Sequence, residues 1–193
     1  MLENLSKYRV LLASNSPRRR ELLAVLCVPF DIVNGLKIEE KWPENLDLPK
    51  VPEYLSKLKA DAYRTQMHDH ELIITADTVV ICENNILGKP KNKDEAKEML
   101  RLLSGRKHEV ITGVTITTVG SQISFTSTTE VKFANIPDED IYYYVETYCP
   151  LDKAGAYGIQ EWIGCVAVES IRGSYYNVMG LPVHALYREL KKL

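Results

Sequence analysis

Histidine and cysteine are scarce in this sequence, with four of each in 193 residues, no CxxC pair and no HExxH. The spacing that declares a zinc ribbon, a zinc finger or a zincin-type hydrolase is therefore missing. His68 and His70 fall in the polar stretch QMHDHE and are expected in a solvated loop. Cys27, Cys82, Cys149 and Cys165 are widely spaced. With no secretory signal in view they read as small core residues rather than a disulfide framework, Cys27 and Cys165 in particular lying inside apolar segments. Long apolar runs are also missing: the longest, Leu22 to Phe30, is far short of the roughly 20 residues that span a bilayer. The opening MLENLSKYRV lacks a signal peptide's apolar core and small-residue cleavage site, so a cytoplasmic protein is expected. No charge sign dominates. Lys+Arg 24 against Asp+Glu 26 leaves a formal charge of −2, which gives no global field for nucleic acid or membrane. Neither phosphate-binding glycine loop, GxxxxGK[ST] or GxGxxG, is present.

What is there is ordinary globular material, 45% apolar and 26% charged, at a length that favours one domain. Tyr8 to Ser14 is β-like and runs into a helix start, with Ser16 as N-cap and Pro17 at the first helical position. Leu22, Leu23 and Leu26 supply that helix's apolar stripe. Leu72 to Cys82 is a nearly continuous β-branched run, the pattern of a strand buried on both faces. Asn92 and Glu95 suit the cap of a helix with Ala96, Met99, Leu100 and Leu103 inward and Gly105 at its end. Val110 to Val119 and Gln122 to Ile136 read as a long hairpin across Gly120-Ser121. Pro137 to Tyr148 reads as a helix with Ile141, Val145 and Tyr148 on one face, and Trp162 to Ile171 as a strand. Leu181 to Leu193 reads as an amphipathic helix with its lysines at the C-terminal end. The sum is α/β, without the regular alternation of a doubly wound parallel sheet.

Several positions conflict with a purely structural reading. A helix beginning at Pro17 carries Arg18, Arg19 and Arg20 in its first turn, where the dipole disfavours cations by about 0.3–1 kcal/mol each. An anion resolves the conflict, since free backbone N–H groups and guanidinium forks both bind phosphate oxygens. Solvated arginines paired with Glu21 and other acids are the plainer alternative. Asp77 sits inside ITADTVVI, where an unpaired carboxylate costs several kcal/mol and so calls for a metal, a cation or hydrogen-bond donors. Thr75 and Thr78 are too few for that, and a strand-end cap is the structural alternative. Gly88-Lys89-Pro90 offers a turn with close backbone approach and a point charge suited to phosphate. In AGAYGIQ the glycines permit a flat ligand against the backbone, and Gln160 can match the carbonyl and imide N–H of a uracil or thymine edge; a tight bulge with a surface Gln is the alternative. Glu39 and Glu40, after PFDIVNGL, suit Mg²⁺ or Mn²⁺ as oxygen ligands, or are simply a solvated acidic stretch.

In order along the chain, SNSPRRRELL, IEE, ADTVV, LGKP, LSGRKHEVITGV, LDKAGAYGIQ and SYYNVMGLP resemble the Maf family of nucleoside triphosphate pyrophosphatases, also called septum-formation inhibitor-like proteins. The resemblance covers nearly the whole chain. It implies a single domain over residues 1–193 with an inosine triphosphatase-like α/β fold: a long mixed β-sheet, flanking helices and two lobes around a central cleft. It implies hydrolysis of dTTP and UTP, and of modified pyrimidine nucleotides, to the monophosphate and pyrophosphate, as house-cleaning of the nucleotide pool. A divalent cation, Mg or Mn, is the implied cofactor, with Asp77 and Glu40 as its ligands. Asp77 falls on the family's proton acceptor, and Glu40 and Lys89 on its other catalytic positions. Arg18, Thr78 and Gln160 fall on the residues that discriminate substrate in the dTTP/UTP branch, beside Ser14, Ser16 and Arg19 at the helix start. One departure stands out. The family's Lys-Ala pair in the helix after the Glu pair meets YLSKLKADAY, which places Ala62 at that lysine and leaves Lys57 or Lys59 to substitute.

Two other readings accompany this one: a nucleotide-binding regulator of cell division with little turnover, and a 7-methyl-GTP-type pyrophosphatase of the same family. The expected partner is a nucleoside triphosphate, with no membrane, no nucleic acid and a homodimer as the assembly common in the family. Tyr142-Tyr143-Tyr144 reads as helix surface and core, or a dimer contact, rather than a base-stacking platform.

Overall fold

The computed structural model describes residues 2–33 and 38–193. The last residues of the PFDIVNGL stretch, 34–36, lie outside the described residues, and so does Lys37. The chain divides into two compact units that interleave in sequence. One holds residues 1–77, 112–127 and 180–193; the other holds 78–111 and 128–179. Seven strands form one mixed sheet in the order β2-β1-β3-β5-β6-β7, with β4 on β3. The expectation of α/β architecture holds.

In the first unit, β1 (Arg9–Leu12) lies parallel to both β2 (Asp31–Ile32) and β3 (Glu71–Cys82), with Leu11 opposite Asp31 on one side and Ile73 on the other. Such a central strand has no solvated face, which is why it reads as an unbroken Val-Leu-Leu run. Helix α1 (Pro17–Ala24) follows β1 and buries Leu22 and Leu23. It stops before Leu26, which is only half-buried. Helix α2 (Val51–Arg64) buries Val51, Leu55, Ser56 and Ala60 along one stripe. The C-terminal helix α7 (Val183–Leu190) adds Val183, Leu186 and Leu190 to the buried set, with Lys191 and Lys192 beyond it as the dipole favours.

In the second unit, β3 turns back through Glu83 and Asn84, both at positive φ, into β4 (Asn85–Leu87), an antiparallel pairing. Helix α3 (Lys93–Leu103) is capped as expected. The Asn92 side chain accepts from the Glu95 N–H at 2.9 Å, and Glu95 reaches back to the Lys91 N–H at 2.7 Å. Gly105 lies at φ +68 just past its end. Strands β5 (Lys107–Thr117) and β6 (Gln122–Phe133), whose residues 112–127 belong to the first unit, are sheet neighbours joined through Thr118 to Ser121, and this short connection makes them the expected hairpin.

Three expectations need correcting. Trp162 to Ile171 is not one strand: Trp162–Ala167 forms α5, and only Val168–Arg172 is β7. The apolar run conceals an i, i+4 spacing, since Ile163 and Ala167 are buried while Cys165 and Val166 are exposed. Helix α4 (Asp138–Tyr148) turns Tyr144 inward with Ile141 and Val145, leaving Tyr148 exposed. Of the cysteines only Cys82 is buried; Cys27, Cys149 and Cys165 are exposed, because the helices around them bury other positions. The strand Leu72 to Cys82 gains a partner, β4, whose ENN turn was a legible hairpin signal. Helix α6 (Tyr175–Met179) completes the second unit, its fully buried Asn177 donating to the Val110 carbonyl and to Thr129 Oγ1, each at 3.0 Å.

Candidate functional site

The site is built from β3 and α2 of the first unit. Side chains two apart on a strand share a face, and so do those three apart on a helix. Thr75 and Asp77 on β3 therefore meet Ser56 and Lys59 on α2. Thr75 Oγ1 donates to the Ser56 carbonyl at 2.7 Å, and the Ser56 hydroxyl lies 2.8 Å from Thr115 Oγ1 on β5. Thr75, Ser56 and Thr115 are all fully buried, so this polar seam fixes the helix against the sheet where no water competes. One step along, Lys59 Nζ sits 2.6 Å from Asp77 Oδ1 and 3.0 Å from Glu40 Oε1.

The Asp77 anomaly is thus resolved by a cation. Its residue is 8% exposed and lies mid-strand, so it is not a strand-end cap, and Thr75 spends its hydroxyl on α2 rather than on the carboxylate. Lys59 is the residue that sequence reasoning left undecided. Of the two candidate lysines, Lys57 is exposed, whereas Lys59 is drawn to the acids with a side chain 16% exposed. Its i+3 relation to Ser56, on the buried stripe of α2, was the signal that could have chosen it.

The helix start of α1 is tied to the same place. Ser16 caps it, accepting from the Arg19 N–H at 3.4 Å, and Ser14 Oγ accepts from the Ser16 N–H at 3.2 Å. The Arg19 guanidinium donates through Nη1 to the Ala76 carbonyl at 2.7 Å and through Nε to the Gly180 carbonyl at 2.8 Å. Arg19 therefore bridges α1 to the residue beside Asp77. Burial pushes this guanidinium below its ordinary value and Arg18 adds to that, while Asp77 and Glu40 oppose them. Arg18 is half-buried and Arg20 exposed. No acidic residue occupies the first turn, so the conflict between arginines and dipole is real in the fold.

Asp77 and Glu40 offer hard carboxylate oxygens that converge on one ammonium, a donor set suited to a hard divalent cation. Among the described residues no group of three His, Cys, Asp or Glu side chains could hold a metal by itself. Substrate oxygens and water are then needed to complete a shell, which is the usual arrangement for Mg²⁺.

Thr78, Lys89 and Gln160 belong to the second unit. Thr78 is half-buried on β3, and Lys89 and Gln160 are exposed. In the Gly88-Lys89-Pro90 turn, the Gly88 carbonyl accepts from the Gly155 N–H at 3.0 Å. A Cβ on Gly88 would meet nothing within 4 Å among the described residues, so packing within the chain does not require that glycine. The glycines of AGAYGIQ answer to packing instead. Gly155 lies at φ +68 with its missing Cβ 2.9 Å from Val80 Cγ2, and a Cβ on Gly158 would lie 2.8 Å from Glu161 Cδ. The segment is a short 3-10 turn at Ala154–Ala156 followed by irregular backbone, not a bulge, and it leaves the Gln160 amide in solvent.

Comparisons with known proteins give the family of the chain. The family model described as Maf-like protein matches residues 9–193. A protein of Phocaeicola vulgatus named dTTP/UTP pyrophosphatase is 56% identical over 193 residues, covering 100% of both chains. Namesakes from Bacteroides thetaiotaomicron and Porphyromonas gingivalis W83 are 53% and 54% identical; the first covers 100% of both chains, the second 99% of this chain and 97% of its own. Among solved structures, the Staphylococcus aureus Ham1 protein superposes with a TM-score of 0.55 at 17% identity, covering 94% of this chain and 99% of that one. A HAM1 protein from Coxiella burnetii gives 0.54 at 14% identity, covering 96% and 100%. At that identity the likeness speaks for the fold alone. A match across nearly the whole chain, over the same segments that build the Lys59–Asp77 site, means that this protein belongs to the Maf family.

Proposed function

We propose that this protein is a nucleoside triphosphate pyrophosphatase that hydrolyses dTTP and UTP to the monophosphate and pyrophosphate, acting on the free nucleotides of the cytoplasm as one catalytic domain. The observation that carries the reading is Asp77, a buried strand carboxylate held 2.6 Å from Lys59, with Glu40 on the same ammonium. The names of full-length relatives at 53–56% identity supply the substrate.

Asp77 accepts a proton from water, whose oxygen attacks the α-phosphorus. The bond from that phosphorus to the bridging oxygen breaks, and pyrophosphate leaves with the electron pair. Lys59 pairs with the Asp77 carboxylate and holds it in place in a half-dry site where a lone charge would be costly. Asp77 and Glu40 would hold Mg²⁺ or Mn²⁺, and the bound cation supplies charge neutralisation at the phosphate oxygens. The α1 start, with its backbone N–H groups, Ser14, Ser16 and Arg18, takes the triphosphate as helix N-termini take anions. Arg19 acts mainly as the brace between α1 and Ala76. Lys89 contributes a point charge to phosphate, and Gln160 with Thr78 reads the base edge.

A nucleotide panel tests this: dTTP, UTP, dCTP, ATP, GTP and 7-methyl-GTP with Mg²⁺ or Mn²⁺, with monophosphate and pyrophosphate both quantified. The expected result is pyrophosphate released one-to-one with dTMP or UMP and poor turnover of purines, because a polar pocket rejects a mismatched edge strongly. Fast hydrolysis of 7-methyl-GTP, or release of orthophosphate, would overturn the proposal.

A further inference from the structure

The segment that carries Gln160 is backed by a charge network that takes no part in the reaction just described. Glu161 Oε2 accepts from the Tyr144 hydroxyl, and Glu161 Oε1 lies 3.0 Å from Lys153 Nζ, which also lies 2.7 Å from Asp152 Oδ1. Tyr144 has no solvent exposure, and the Lys153 and Glu161 side chains are 9% and 20% exposed. Placing a phenol, an ammonium and a carboxylate there is costly unless each is satisfied, and an apolar filling would pack as well. The network also grips the backbone. The Tyr144 oxygen accepts from the Gly158 N–H at 3.0 Å, and a Cβ on Gly158 would lie 3.0 Å from Lys153 Cε. On the other side of Gln160, the Glu161 N–H donates to the Gly158 carbonyl at 3.0 Å. Gln160 thus sits in a turn pinned two residues before and one residue after by the same pair, Tyr144 and Glu161. Burial, then the bond to Glu161, raises the Tyr144 hydroxyl far above the ordinary tyrosine range, so it stays a donor at every working pH.

We propose that Tyr144 and Glu161, with Lys153 neutralising the carboxylate, are positioning residues that set the orientation of Gln160 and through it the discrimination of the pyrimidine base. The proposal rests on the reading of Gln160 as the base-contacting side chain. An exposed amide has rotamer and backbone freedom to lose on binding, and a pre-fixed backbone removes part of that loss. Selectivity is then stored in groups that never touch the nucleotide.

Tyr144→Phe keeps the ring and deletes both hydroxyl bonds; Glu161→Gln keeps the acceptor and shape and deletes the charge. Steady-state kinetics with dTTP, UTP, dCTP and GTP, together with a melting curve, give the readout. In Tyr144→Phe, kcat/KM for dTTP and UTP should fall about tenfold, the worth of one or two hydrogen bonds, mostly through KM. The values for dCTP and GTP should hold, so the preference narrows by the same factor. Glu161→Gln should narrow it less, about threefold, since the acceptor for Tyr144 remains. On a Gln160→Ala background, Tyr144→Phe should narrow the preference no further, which is the signature of action through Gln160. An equal fall for all nucleotides marks a merely structural role and overturns the proposal, as does an undiminished preference in a folded variant. Wild-type protein with no preference for dTTP and UTP overturns the reading of Gln160 itself, a result visible before any variant is made.

Discussion

At Asp77 a single proton position decides the chemistry. General-base assistance is worth roughly 10²–10⁴-fold, so Asp77→Asn should lose turnover by that factor. The amide keeps the volume, and Lys59 retains Glu40 as a partner, so the melting temperature should stay close to wild type. A stopped-assay comparison of pyrophosphate release beside a thermal melt checks both halves, and near-normal turnover would remove Asp77 from the mechanism. His108 illustrates a different residue-scale effect. It is 2% exposed between the rings of Phe133 and Tyr157, with Nε2 2.8 Å from the Tyr157 hydroxyl and Nδ1 without a hydrogen-bond partner among the described residues. Burial pushes its pKa down from 6.5 to about 4. Between those values the unfolded chain binds the proton and the folded protein does not. The neutral imidazole's contribution is therefore fully present above pH 6.5 and is lost as pH falls toward 4, by about 3 kcal/mol at most. Urea midpoints measured from pH 7 to pH 4 should fall, and His108→Gln, which cannot titrate, should flatten that part of the profile.

At the scale of elements, the site depends on how closely α2 approaches the sheet. A Cβ on Gly113 of β5 would lie 2.3 Å from the Glu53 nitrogen and the Pro52 carbonyl carbon, both backbone atoms at the α2 start. Backbone cannot give way as a side-chain tip can. Gly113→Ala should cost about 1–3 kcal/mol of stability and displace the helix that delivers Lys59 to Asp77. A displacement of that kind far from the reacting atoms can lower turnover on the order of 10²-fold. Gly120→Ala, where a Cβ meets nothing within 4 Å among the described residues, is the matched control, and melting curves with kcat for the two variants settle the comparison. The same contact shows what could be read from the sequence and what could not. Ser16 and Pro17, Asn92 and Glu95, and the Thr- and Val-rich hairpin were legible because caps, prolines and alternation act locally. The helix over Trp162–Ala167 was missed because a uniformly apolar run hides its period. Asp77 was legible as an anomaly, but its answer, Lys59, needed the tertiary pairing of α2 with β3, which the Thr75–Ser56 seam fixes. The packing reason for Gly155 and Gly158 was likewise tertiary, a neighbour's side chain.

Across the whole molecule, the two units share one chain that passes from one to the other and back. The first unit takes its last piece from residues 180–193, so the C-terminus belongs to the core that carries Asp77 and Lys59. Asn4 Nδ2 donates to the Leu190 carbonyl at 2.7 Å, and Arg19 reaches the Gly180 carbonyl at 2.8 Å, tying both early segments to this late one. Leu186 and Leu190 have no exposure and Val183 has 8%. Truncating one such leucine to alanine costs about 2–5 kcal/mol, and removing α7 removes all three aliphatic side chains together. The sum rivals the roughly 5–15 kcal/mol by which a domain of this kind is stable. Leu186→Ala should therefore lower the melting temperature while leaving turnover measurable at low temperature. Deletion of residues 183–193 should abolish both turnover and the cooperative melt, although every proposed catalytic side chain is still encoded. A truncated chain that melted and turned over like the full one would mean that the first unit's core closes without its last segment.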